Sequence, residues 1–133
     1  MDNSFEELFD YIQSIEIIDT HEHLPSKEED RDKDTDILKE YLQHYFNKDL
    51  ISSGMPRESD KTILESNIPI SKKWKLIEPY WKYSEFTGYA QSIKITVKEL
   101  YGIDNISSDT IEELNDRFLK SLKPGHFRKV LKE

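Results

Sequence analysis

The sequence contains no cysteine, which excludes disulfide bonds, thiolate metal ligands and a cysteine nucleophile. Any metal ion bound by this chain must therefore be held by histidine, carboxylate or other nitrogen and oxygen ligands. Long apolar runs are also missing. None approaches the roughly 20 residues that cross a bilayer, and the N-terminus lacks the basic and apolar regions of a signal peptide. These absences predict a cytoplasmic protein.

Positive charge is scarce relative to negative charge: 19 lysine and arginine residues stand against 27 aspartate and glutamate residues, a formal net charge of −8. An acidic chain is not attracted to phosphate backbones or anionic lipid head groups, so we expect neither nucleic acid nor membrane partners. The 133 residues suffice for one domain with a hydrophobic core, or for part of a larger domain. The 2 tryptophans, 7 tyrosines and 6 phenylalanines argue against disorder.

The strongest chemical signal lies in residues 16–25, where an apolar pair is followed by two histidines and a proline. The β-branched Ile17 and Ile18 predict a short buried strand that ends at the proline. Side chains alternate between the two faces of a strand, so His21 and His23 project to the same side. The spacing therefore predicts two imidazoles aimed at one point.

Two convergent imidazoles suit a divalent metal such as zinc, manganese, iron or nickel. Asp19 lies on the same side of the predicted strand, where it can accept the second ring N–H of a histidine and fix its tautomer. The position also favours function, because α/β barrels place catalytic groups at the carboxyl ends of their strands. An H-x-H pair in an exposed loop that binds nothing remains the alternative. His44 and His126 fall on predicted helical segments, and we interpret them as surface or packing residues.

Periodic apolar residues predict helices through most of the remaining chain. A capping pattern at Ser4 and Glu7 starts a helix over residues 4–14. The charged run 26–34 is interpreted as a solvated loop rather than a calcium site, since it mixes both signs and has no glycine turn. Further helical segments are expected at 37–46, around 63–64, at 71–81 with a kink or end at Pro79, at 87–101 before Gly102, at 109–122 and within 126–133.

The stretch Ile18-Asp19-Thr20-His21-Glu22-His23-Leu24 resembles the first-strand signature of the amidohydrolase superfamily, the metal-dependent hydrolases built on a distorted (β/α)8 barrel. Other stretches resemble the amidohydrolase-2 branch, which includes decarboxylases and hydrolases and is related to uronate isomerases. These stretches are spread along most of the chain and are residues 49–56, 74–81, 87–89 and 100–102.

This resemblance implies the α/β fold class, with a mostly α-helical chain that contributes the first strand of a TIM-like barrel and a helical insertion. Residues 1–25 would hold the N-terminal helix and first strand, 26–106 the insertion, and 107–133 a helix leading toward the second strand. A complete barrel takes roughly 250 residues. The resemblance therefore implies the N-terminal part of a longer enzyme, whose partner is the remainder of the barrel or a complementary chain.

Carried over from the family, His21 and His23 match the two first-strand metal ligands. The family's bridging lysine or glutamate, its two further histidines and its proton-handling aspartate have no matching position, so no catalytic residue is assigned. The complete enzyme is expected to hydrolyse C–N, C–O or C–C bonds of a small-molecule substrate through a metal-activated water. Nonoxidative decarboxylation and uronate isomerisation are the alternative reactions, because one fold supports many chemistries.

Four residues of the predicted insertion are candidates for the substrate pocket: Arg57, Tyr80, Trp81 and Tyr89. Arginine pairs with carboxylates and aromatic rings enclose ligands. The helical spacing of the aromatic residues favours a core role over ligand binding. A competing interpretation from another class is a non-enzymatic helical interaction module whose H-x-H lies in an exposed loop.

Overall fold

The computed structural model describes residues 3–18, 20–21, 23, 25, 27–30, 34–42, 45–65 and 67–131. Within these residues the regular structure is helical throughout, with eight α-helices, one 3₁₀ turn and no β-strand. The helices are α1 Ser4–Gln13, α2 Ile37–Leu42, α3 Phe46–Ser52, α4 Arg57–Glu65, α5 Ile70–Ser84, α6 Gly88–Tyr101, α7 Ile111–Ser121 and α8 His126–Val130. The 3₁₀ turn spans Glu28–Asp30.

Helix α5 is the centre of the molecule and packs against α2, α3, α4 and α7. Its buried face carries Trp74, Ile77 and Trp81, which recur at the three- and four-residue spacing of one helix face. The Trp81 ring meets Phe46 of α3 edge-on, with ring centroids 5.5 Å apart. Helix α6 packs on α7, where Tyr101 lies edge-on to Phe118. One continuous apolar core therefore joins α2 to α7.

The expected α/β fold and its first barrel strand are wrong for this chain. Residues 16–18, 20–21 and 23 have no strand pairing, and Ile17 and Ile18 are 82% and 83% exposed instead of buried. A strand gains its stability from hydrogen bonds to a neighbouring strand, and the described residues offer none. Two adjacent isoleucines indicate only a local preference for extended backbone. That preference cannot replace a missing partner strand.

Helix α5 continues through Pro79, where the sequence predicted a kink or an end. Proline removes one backbone donor and costs roughly 3 kcal/mol in a helix interior. Here Pro79 and Lys75, whose carbonyl loses its donor, are both exposed, so water can satisfy that carbonyl. Burial of Trp74, Ile77 and Trp81 on the opposite face offsets the cost, so the helix persists.

The predicted helix 37–46 is divided between α2 and α3. Tyr45 has φ −141° and lies outside both helices, while residues 43 and 44 are outside the described residues. The prediction for α6 is confirmed at both ends. Thr87 accepts a hydrogen bond from the amide of Ala90, and Gly102 ends the helix in the left-handed region at φ 61°.

Helix α1 confirms the predicted N-terminal helix, although Ser4 is its first residue and the N-cap position is taken by Asn3. The helix has no buried residue, and its apolar stripe of Phe5, Leu8, Phe9 and Ile12 is more than half exposed. Every helix in the described part of the chain is too short or too polar to cross a membrane.

Candidate functional site

The two histidines of the H-x-H pair converge. The Nε2 atom of His21 lies 2.7 Å from the Nε2 atom of His23, and the ring centroids are 4.7 Å apart. This separation is a hydrogen-bond distance, so one Nε2 donates its proton and the other accepts it. Both rings are carried by irregular backbone, so their convergence here does not require a strand.

The measured separation can be compared with the spacing that a metal requires. Zinc binds imidazole nitrogen at about 2.1 Å, and a tetrahedral angle then puts two ligand nitrogens about 3.3 Å apart. The Nε2 atoms of His21 and His23 must therefore separate by about 0.6 Å to bind one ion. Small rotations of two exposed rings provide such a change.

The histidine pair supplies two ligands, whereas a catalytic zinc site needs three from protein. In the described ranges, no three histidine, cysteine, aspartate or glutamate side chains are grouped closely enough to hold a metal ion. Asp19, predicted to orient a histidine ring, lies outside the described residues. The histidine pair thus fits two ligand positions of a metal site, and a catalytic zinc ion would require at least one further protein ligand.

His23 also lines a surface pocket of about 480 Å³. The pocket has an apolar wall that includes Leu100, Phe118 and Phe127, and its polar groups include His126. A volume of this size lies within the range of small-molecule pockets. Sequence reasoning interpreted His126 as a surface or packing residue, and the structure places it in the lining of the same surface pocket as His23.

The contact between Glu28 and α8 explains how this pocket forms. The carboxylate of Glu28 accepts hydrogen bonds from the amides of Gly125 and Phe127, at 2.6 and 2.8 Å. These bonds satisfy two amide groups at the start of α8, on either side of His126. They also hold the 3₁₀ turn, only five residues beyond His23, next to α8. Sequence reasoning treated Glu28 as part of a solvated charge run and gave no signal for this role.

The four predicted substrate-binding residues are distributed over the helical body. Arg57 is the exposed first residue of α4, and Tyr80 is half-buried near Gly54. Trp81 is a core residue at 8% exposure. Tyr89 is about half exposed, and its ring stacks on Tyr45 with centroids 5.3 Å apart. The pocket that His23 lines is built from other residues.

A buried ion pair that sequence reasoning missed fixes the start of α2. Lys73 of α5 is fully buried, and its Nζ donates to Asp36 Oδ2 at 2.7 Å. The other carboxylate oxygen of Asp36 accepts from the amides of Leu38 and Lys39. Lys73 lies four residues before Ile77, so a helical projection of α5 could have placed it on the buried face.

Comparison of this chain with protein-family models, with curated proteins and with solved structures finds no match in any of the three.

Proposed function

We propose that this chain contributes the first two metal ligands, His21 and His23, of a metal-dependent hydrolase of the amidohydrolase type. The observation that carries the proposal is the convergence of their Nε2 atoms to 2.7 Å. The two nitrogens lie close enough for one divalent ion to contact both after a separation of about 0.6 Å. A shared metal ion gives both rings a common partner and replaces the bridging proton.

The metal would be zinc, with manganese, iron or nickel as alternatives, because neutral imidazole suits all four. Such a metal activates a bound water for attack on a substrate carbonyl. This chain's own part is to present two nitrogen ligands, and the pocket lined by His23 offers a small-molecule substrate an apolar wall beside them. By itself the chain is expected to bind metal weakly and to catalyse nothing. A cytoplasmic location fits the absence of cysteine.

The remaining ligands would come from polypeptide that packs against the N-terminal segment. Phe5 is 78% exposed and Ile17 and Ile18 are more than 80% exposed, although side chains of this kind are normally buried. Burying these three together with Leu8, Phe9 and Ile12 is worth roughly 12 kcal/mol before the entropy cost of association is subtracted. A polypeptide that packs against this segment would bring its own side chains next to His21 and His23.

The same exposed stripe on α1 favours a second candidate function, a non-enzymatic helical interaction module. In that case Phe5, Leu8, Phe9 and Ile12 bind a partner protein, and the histidine pair has no metal. The two functions differ in one property, which is the affinity of the histidine pair for zinc.

Titration calorimetry with zinc chloride on chelator-treated protein separates them. We expect one zinc ion to bind per chain, and we expect a His21→Ala/His23→Ala variant to lose that binding. His126→Ala is the matched control, since it removes an imidazole from the same pocket and should bind zinc like the wild type. Equal zinc binding by all three proteins, or none by the wild type, contradicts the hydrolase proposal and leaves the interaction module.

A further inference from the structure

Helix α1 carries a row of exposed apolar side chains. Phe5, Leu8, Ile12 and Ile15 follow one another at alternating spacings of three and four residues, so they line one face of the helix, with Phe9 beside them. Ile15 lies just past the helix and continues the row, because its amide donates to the carbonyl of Ile12. We call these five residues the α1 row. Helices α2 to α7 share one core, whereas α1 has no buried residue.

The exposed area of the α1 row can be compared with the area that a stable dimer buries. Phe5 is 78% exposed, and the other four side chains are each about half exposed. Two copies packed row against row would bury roughly 1,200 Å² in total, which is the lower end of the range for stable interfaces. Ile17 and Ile18 follow directly in the chain, and their exposed side chains raise the total to roughly 1,800 Å².

The charges of α1 permit such a pairing. Glu6, Glu7 and Asp10 project from the side of the helix that faces away from the α1 row. When two helices pack row against row, these acidic groups lie on the two outer sides of the pair. A helix is about 10 Å across, and charges in physiological salt are screened over about 8 Å, so repulsion across the pair is weak.

A second copy of this chain fits these observations better than a partner recognised by its charge. A basic partner protein would need the acidic groups of α1 at the rim of the apolar row, where they could pair with its lysines and arginines. They lie instead on the far side of the helix. A two-fold interface is self-complementary, since each copy presents the same apolar row to the other.

We infer that two copies of this chain associate through the α1 row, with Phe5 and Ile12 among the buried contacts. The second copy is then the partner of the same exposed residues that the interaction module would use. Association through this row needs no metal. It can therefore fail while zinc binding by the histidine pair succeeds, and the reverse also holds.

Sedimentation equilibrium of the full chain at about 1 to 100 µM, with a chelator present, measures the association. The test variant is Phe5→Ala/Ile12→Ala. The matched control is Phe86→Ala/Ile95→Ala, which removes the same two residue types from positions outside α1 that are 78% and 62% exposed. Alanine favours the helical state, and circular dichroism verifies that each variant retains its helix content.

We expect the wild type to form a dimer with a Kd of about 10 µM, as suits an interface of modest area. The test variant should dimerise about one hundred-fold more weakly, because each substitution removes a contact from both copies, and the control should stay within about two-fold of the wild type. Raising sodium chloride from about 0.05 M to about 0.5 M should tighten the dimer, because salt screens the repulsion between two acidic chains.

Three results would overturn the inference. A wild-type chain that stays monomeric over the whole range leaves the α1 row to a different protein. Equal weakening by the test and control variants places the interface outside the α1 row. A dimer that salt dissociates is held by ion pairs rather than by apolar contacts.

Discussion

The ion pair between Asp36 and Lys73 gives the sharpest prediction about stability. Asp36→Ala removes the partner of a lysine whose side chain has no solvent exposure, and removing one partner of a buried pair costs about 3 to 5 kcal/mol. The Asp36 side chain is 17% exposed, so water can partly solvate the Lys73 ammonium after Asp36 is removed. The cost should therefore lie near the lower end of this range. Losing the cap on α2 adds about 1 kcal/mol. We therefore expect Asp36→Ala to lower the free energy of unfolding by about 4 kcal/mol in total.

Two companion variants separate the charge from the cap. Asp36→Asn keeps the oxygen that caps α2 and loses only the ion pair, so it should cost about 2 to 3 kcal/mol. Lys73→Met replaces the buried ammonium with an apolar side chain of similar length, and Asp36 keeps two amide donors and some contact with water, so this variant should cost less than Asp36→Ala, about 1 to 3 kcal/mol. Because Lys73→Met also removes the orphaned charge, Asp36→Ala/Lys73→Met should be more stable than Asp36→Ala alone.

Urea unfolding followed by circular dichroism at 222 nm measures each free energy. For a chain of this length, a loss of 4 kcal/mol lowers the melting temperature by about 15 °C. The reasoning fails if Asp36→Ala costs less than about 1 kcal/mol, or if adding Lys73→Met to it restores no stability.

Three further predictions follow, two measured by the same unfolding assay and one by amide hydrogen exchange. The indole N–H of Trp74 is buried without a hydrogen-bond partner among the described residues, so Trp74→Phe should cost only about 1 kcal/mol; a loss above 3 kcal/mol would show that the N–H has a partner. Gly102→Ala should cost about 1 to 2 kcal/mol, since φ is 61° and the new Cβ would meet a neighbouring side chain at 3.3 Å. Gly88→Ala, which meets nothing within 4 Å, is its control and should be neutral or stabilising. Glu28→Gln should speed amide exchange in α8 by about ten-fold, whereas unchanged exchange there would show that Glu28 does not anchor the helix.

The elements that could be predicted from the sequence are those with local signals. Helix α6 was recognisable because Thr87 can cap it and Gly102 can end it, and both interactions are local in the chain. Helix α1 was recognisable from the spacing of its apolar residues, although the degree of their exposure was not.

The errors concern features that depend on distant residues. A strand at residues 16–23 needs a partner strand, and the sequence of the strand itself does not say whether one is present. The continuation of α5 through Pro79 depends on burial of the opposite face against other helices. The cap on α2 comes from Asp36, whose carboxylate is held in position by Lys73, a residue 37 positions further along the chain.

For the candidate site, the sequence predicted that His21 and His23 face one point, and the structure places their Nε2 atoms 2.7 Å apart. The sequence could not predict the pocket beside them. That pocket depends on the bonds from Glu28 to the start of α8, which join residues nearly one hundred positions apart.

The most direct test of the metal-ligand proposal is a long-range ¹H–¹⁵N correlation spectrum of the histidine rings during a zinc titration. We expect the Nε2 resonances of His21 and His23 to shift together and to saturate at one zinc ion per chain, while those of His126 stay unchanged. Unshifted Nε2 resonances, or a shift of only one of the two rings, would contradict the assignment of this pair as joint metal ligands.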